Sequence, residues 1–150
     1  MAGGELIRIF QNHSPQIIFH LAAFARIPLG IKNPVKACTV NAIGTCNLLQ
    51  LAREFGVERF VFSSTSSVYG LKNQKDVNEN MSLEPLTDYS RYKADCEFIL
   101  KKYTSENFTP IIIRPATVCG YSPRQRLDVV VNILTNLAYH KRAITIFGGK

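Results

Sequence analysis

The sequence predicts an α/β fold: a parallel β-sheet with helices packed on both faces. Three observations lead there. Short β-branched and aromatic runs alternate with longer segments of helical periodicity, in the order strand, helix, strand, helix, strand, helix. The chain has 150 residues and is 46% apolar and 19% charged, which suits one domain with a buried core. No apolar run approaches the roughly 18 residues that a membrane helix needs. The opening MAGGELIRIF has neither a basic start nor a long apolar stretch, so no signal peptide and no membrane partner are expected, and the location expected is cytoplasmic.

Residues 17–21 (IIFHL) are β-branched and aromatic and read as a first buried strand. Residues 34–55 read as one helix, with Pro34 suited to its first turn and Gly56 to its stop. Residues 59–63 (RFVFS) are a second buried strand. Residues 89–105 form a second helix, with Thr87 or Asp88 as N-cap and Lys101 and Lys102 placed to suit the helix dipole. Residues 111–114 (IIIR) read as a third strand, 127–140 as a third helix, and 144–147 (ITIF) as a short fourth strand. Residues 70–86 form a long polar loop, and loops of that length in a compact domain tend to serve function.

Parallel sheets bind ligands beyond the carboxyl ends of their strands. The segments after Leu21, Ser63 and Arg114 are therefore expected to line any site. The cysteines Cys38, Cys46, Cys96 and Cys119 form no C-x-x-C pair and have no histidine at ligand spacing. They read as reduced thiols, and no metal site is expected.

Three features fall on the expected site edge. Tyr89 and Lys93, in Y-S-R-Y-K, are four apart and share a helix face. An adjacent ammonium favours a phenolate and makes Tyr89 a candidate general base. Alone, such a pair is more often a surface contact. The hydroxyl-rich SSTSSVYG, residues 63–70, follows the second strand. Its hydroxyls can bind a substrate oxygen, although a Ser-rich turn commonly caps its own backbone. HLAA, residues 20–23, ends the first strand, and its small residues allow a ligand to approach the backbone. By itself His20 reads as an interior histidine.

In this order, with N-A-I-G-T (41–45) inside a helix and R-P-A-T-V-C-G (114–120) after the third strand, the motifs resemble the extended short-chain dehydrogenase/reductase family, in its nucleotide-sugar epimerase and dehydratase branch. The resemblance runs from about residue 16 to the end. It implies a Rossmann-like sheet, NAD as cofactor with NADP left open, and a nucleotide-diphosphate sugar as substrate. It implies that Tyr89 is the catalytic base, that Lys93 holds the nicotinamide ribose and that Thr65 binds the reacting hydroxyl. His20, Leu21, Ala22, Ala23, Asn41, Ser63, Ser64, Pro115 and Ala116 are implied to line the cofactor. Ser66, Thr117 and Arg124 are implied on the substrate side. A homodimer is implied for the full-length form.

Two departures qualify these expectations. Where the 4,6-dehydratase branch has two acidic residues after the threonine, this chain has Ser66 and Ser67. That favours an epimerase or reductase over a dehydratase. The chain also contains no Gly-x-x-Gly-x-x-Gly turn between a strand and a helix, the element that holds a dinucleotide pyrophosphate. Residues 1–150 are therefore expected to be a partial NAD(P)-binding domain, truncated at the dinucleotide-binding βαβ unit and ending where a substrate lobe begins. The alternatives are another extended short-chain dehydrogenase (sugar dehydratase or reductase) or a non-catalytic truncated relative serving as a binding protein.

The net charge of +7 is uneven. Residues 1–90 hold 8 basic and 7 acidic residues, and 91–150 hold 10 and 4. The excess belongs to the part containing Lys93, Arg114, Arg124 and Arg126, which suits phosphorylated ligands. The aromatics lie mostly in strands and catalytic motifs, so nucleic acid is not an expected partner.

Overall fold

The computed structural model describes residues 3–146, with the side chain of residue 3 left aside. The chain divides into two compact units, one running as far as Pro115 and the other beginning at Ala116.

The first unit is built on a three-stranded parallel sheet, β1 (Ile17–His20), β2 (Arg59–Ser63) and β3 (Thr109–Ile113), in that spatial order. The register pairs His20 with Phe62 and Phe62 with Ile112. Alternation along β2 turns Phe60 and Phe62 to one face, where both are fully buried. Helices α1 (Gly3–His13), α4 (Gly44–Glu54) and α5 (Asp88–Lys102) pack on that face through Phe10, Leu49, Ala52, Cys96 and Leu100. On the other face Ile17, Phe19, Ile111 and Ile113 are exposed. The reading of residues 17–21 as a buried strand is thus corrected for Ile17 and Phe19, because this unit's three core-forming helices pack on the Phe60 side.

Helix α1 was not expected from the sequence. Leu6 and Phe10, four apart, are its inward stripe. The short α2 (Ile27–Lys32), with Pro28 in its first turn, was likewise unexpected. The helical stretch at 34–55 is present but interrupted: α3 (Pro34–Cys38) passes through a π turn (Thr39–Ile43) into α4. Gly56, at φ +69°, ends it as its residue type suggests.

β2 matches its expected range, whereas β1 stops one residue early and β3 begins two early and ends before Arg114. α5 starts at Asp88 and ends at Lys102, short of the expected residue 105. Thr87 caps it: its Oγ1 accepts from Ser90 N, and Ser90 Oγ accepts from Thr87 N. The inward face of α5 is mixed. It buries Ser90, Lys93 and Glu97 in its first two-thirds, then Leu100. A helix that buries a lysine and a glutamate is organised around more than apolar packing.

The second unit contains α6 (Val130–Lys141), which begins three residues later than expected. Residues 144–146 form no strand, because β-propensity becomes a strand only where a ladder partner is available. Residue 147, the last of that expected strand, lies outside the described residues. No helix among the described residues is long and apolar enough to cross a membrane.

Candidate active site

The site is assembled at the carboxyl ends of the strands. His20 is the last residue of β1 and is buried between the rings of Phe60 and Phe62, with centroids 5.9 and 5.8 Å away. Its Nε2 lies 2.9 Å from Thr45 Oγ1. Thr45 donates its own proton to Asn41 O, so Nε2–H is the donor to Thr45. Burial, and then the positive charge of Lys93, push the imidazole from 6.5 to about 4. His20 is therefore neutral near pH 7.

After β1 the chain runs through Leu21, Ala22 and Ala23 without regular structure, the first two exposed and the third half-buried. What fixes this segment is Asn41, buried in the π turn. Its carboxamide accepts from Phe24 N at 2.8 Å and donates to Phe24 O at 3.1 Å. The π turn leaves the Asn41 carbonyl to accept from Thr45 Oγ1 and Cys96 Sγ. A π turn in this position aims one side chain out of the helical register, and such turns recur at functional sites.

Lys93 reaches back from α5 to the end of β2. Its Nζ donates to Ser63 O at 2.6 Å, lies 4.5 Å from the Phe62 ring centroid and 6.0 Å from that of Tyr89. The side chain is buried, which lowers its pKa below the usual 10.5. Tyr89 stands one turn earlier on the helix and is half-buried. It borders a cleft of about 200 Å³ with Phe24, Arg26, Ile27, Leu86 and Asp88.

Beyond Ser63 the strand-end motif turns sharply. Ser64 is buried, and its hydroxyl donates to Glu97. Thr65 is extended and caps the 3₁₀ turn Ser66–Tyr69: its Oγ1 accepts from Ser67 N at 3.2 Å and pairs with Ser67 Oγ at 2.6 Å. Ser66 N donates to Pro115 O, which ties this turn to the segment after β3.

Arg114 had been counted among the charges that attract anions. The structure corrects this: its guanidinium is committed internally to Glu97, Tyr69 and the Glu79 carbonyl. Arg126 likewise pairs with Asp128. Sequence reasoning missed Glu97, Tyr69, Thr45 and Phe24. The available signal was Glu97 four residues after Lys93, one turn further along the same buried face. In the second unit Ala116, Thr117 and Arg124 are exposed, and Arg124 N donates to Ser122 Oγ. The cysteines are free, and no cluster of metal-ligating side chains occurs among the described residues.

A parallel sheet whose central strand ends under a Tyr–Lys helix and a hydroxyl-rich turn defines a Rossmann-type α/β protein. The chain belongs to the NAD dependent epimerase/dehydratase family, whose model matches residues 1–150. It is 40% identical over 136 residues to an uncharacterized UDP-glucose epimerase of Bacillus subtilis, YtcB, covering 88% of this chain and 42% of that protein. It is 30% identical over 141 residues to human dTDP-D-glucose 4,6-dehydratase, covering 93% of this chain and 40% of the relative. Among solved structures, a Thermotoga maritima UDP-glucose 4-epimerase with UDP-glucose superposes with a TM-score of 0.83 at 31% identity, over 97% of this chain and 48% of that one. A Bacillus cereus UDP-glucuronic acid 4-epimerase in complex with NAD superposes with a TM-score of 0.78 at 30% identity, over 96% and 44%. The chain thus spans less than half the length of these relatives.

Proposed function

We propose that this chain carries the catalytic centre of an NAD-dependent nucleotide-sugar epimerase, with residues 1–150 forming part of its cofactor-binding domain. The observation that carries the reading is the buried Lys93 ammonium, anchored on Ser63 O two residues before Thr65 and 6.0 Å from the Tyr89 ring centroid. A buried ammonium is costly, and here it sits where it favours a phenolate.

The residues present suit the nicotinamide-ribose end of the cofactor. Lys93 has three donors, of which Ser63 O takes one. Ala22 and Ala23 leave the backbone open to a close ligand, and Asn41 holds the following residue in place. His20 to Ala23, Asn41, Ser63, Ser64, Pro115 and Ala116 are the proposed cofactor lining. Thr65, Ser66, Thr117 and Arg124 are proposed for the substrate. NADP is the alternative cofactor, since no discriminating acidic or basic residue is assigned. The protein is proposed to work as a homodimer.

Bound NAD would supply the hydride acceptor and donor for the sugar carbon. The chain's own residues do the rest. Tyr89, as phenolate, removes the proton from the sugar hydroxyl as the carbonyl forms. Lys93 holds that phenolate in its charged form. Thr65 directs the hydroxyl oxygen, which requires its Oγ1 to exchange Ser67 for the substrate as partner. Tyr89 then gives the proton back to the oxygen of the turned keto-sugar, so that reduction on its other face would invert the carbon. Ser66 and Ser67 supply no acid to expel a neighbouring hydroxyl, which favours epimerisation over dehydration.

The test is product analysis with the full-length protein, NAD and a panel of UDP-, GDP- and dTDP-sugars. The expected result is interconversion of one epimeric pair. Loss of water from the sugar would instead assign a dehydratase, and no reaction with any panel member would overturn the reading.

A further inference from the structure

The strongest unexplained feature is a buried polar cluster that ties the candidate site together from behind. Glu97 is 1% exposed and is the only buried carboxylate among the described residues. It accepts from the Ser64 hydroxyl and is gripped by Arg114: Nε lies 3.0 and 3.1 Å from its two oxygens, and Nη2 lies 2.6 Å from Oε2. The remaining nitrogen, Nη1, donates to Tyr69 Oη at 2.8 Å and to Glu79 O at 3.3 Å. The guanidinium also stacks on the Tyr69 ring, 5.0 Å from its centroid. One planar fork therefore joins α5, the end of β3, the 3₁₀ turn and the long loop after it.

We infer that Glu97 and Arg114 are positioning residues that set the substrate-directing hydroxyl of Thr65 against Tyr89. The geometry is specific. Lys93 and Glu97, one helical turn apart, hold two consecutive residues at the end of β2: Lys93 takes the Ser63 carbonyl and Glu97 takes the Ser64 hydroxyl. Thr65 is the next residue. The helix that carries Tyr89 is thus fastened to the chain that carries Thr65 at the two residues preceding it. Arg114 closes the arrangement from the other side, where Ser64 N also donates to Ile113 O. Only arginine has the donors and the flat fork to satisfy a carboxylate, a phenol and a carbonyl together. Reacting groups misplaced by an ångström lose rate without losing binding.

This inference rests on the reading of Tyr89, Lys93 and Thr65 as the reacting set. It is tested in the full-length holoenzyme with Ser64→Ala, Arg114→Lys and Glu97→Gln, using the sugar nucleotide that reacts in the panel above. Ser64→Ala is the mildest, since it leaves the Glu97–Arg114 pair in place. Kd for NAD, KM, kcat and Tm are measured for each, with Tyr89→Phe alongside. The expected result for Arg114→Lys, which lies outside the proposed cofactor lining, is a fall in kcat of about tenfold or more with KM and NAD affinity unchanged, and for Ser64→Ala a like fall in kcat measured at saturating NAD. Unchanged kcat in both, or a kcat that falls only as folded protein is lost, would overturn the inference. If Tyr89→Phe turns over like the wild type, the underlying reading fails and this inference with it. If Tyr89→Phe is inert and the Ser64 and Arg114 variants are fully active, only the positioning role fails.

Discussion

His20 makes the structure's electrostatics measurable. It is 7% exposed, enclosed by Phe60 and Phe62, and its Nε2–H is spent on Thr45. A proton added to this ring would have to sit in an apolar pocket facing the Lys93 ammonium. The folded-state value of about 4 lies below the unfolded 6.5. As pH falls through 6.5 the unfolded chain binds the proton first, so stability drains away between about 6.5 and 4 and levels off below. At 1.36 kcal/mol per pKa unit the loss attributable to His20 is about 3 kcal/mol. His20→Gln keeps an amide donor in reach of Thr45 and removes the titration. Urea unfolding at a series of pH values from 7 to 4 should show the wild type losing about 3 kcal/mol more than the variant. An NMR titration should find the imidazole neutral down to about pH 5. Parallel stability curves, or an imidazole that titrates near its ordinary value in the folded protein, would refute the burial argument.

Two further substitutions probe the turn and the loop. Gly70 stands at φ +68°, and a Cβ there would meet Glu84 O at 2.1 Å, a backbone atom that cannot give way cheaply. Gly70→Ala should therefore destabilise the protein by more than about 1 kcal/mol in urea unfolding and displace the loop that Glu84 N pins to Val68 O; a wild-type midpoint would refute this. Thr65→Val keeps the side-chain shape and removes the hydroxyl that caps the 3₁₀ turn. It should cost about 1 kcal/mol of stability and slow the hydride step by at least about tenfold. An unchanged single-turnover rate would mean that the hydroxyl serves only as a cap.

The elements that were legible in the sequence are those whose signals are local. β2 reads directly because five consecutive residues alternate around two phenylalanines. The start of α5 reads from Thr87, and the shared face of Tyr89 and Lys93 from their spacing. Helix α1 was hidden behind its glycines, although Leu6 and Phe10 have helical spacing. The π turn at Thr39–Ile43 inserts extra backbone without changing the apolar pattern enough to be noticed. Residues 144–146 have strand composition, but a strand is a property of a pair, and no periodicity reports its partner. Arg114 is the most instructive. Its charge is plain in the sequence, while its partners Glu97 and Tyr69 lie 17 and 45 residues away and are brought to it only by the fold. Charge counting treats such a residue as available to ligands, and burial shows that it is spent.

The central claim is that Tyr89 is the base of a hydride-transfer site supported by Lys93. Its most direct test is single-turnover reduction of NAD by the reacting sugar nucleotide in the full-length protein, followed by the near-ultraviolet absorbance of the reduced nicotinamide. Tyr89→Phe should bind NAD as the wild type does and form no reduced cofactor over the time in which the wild type completes a turnover. Reduction by Tyr89→Phe at the wild-type rate would contradict the account.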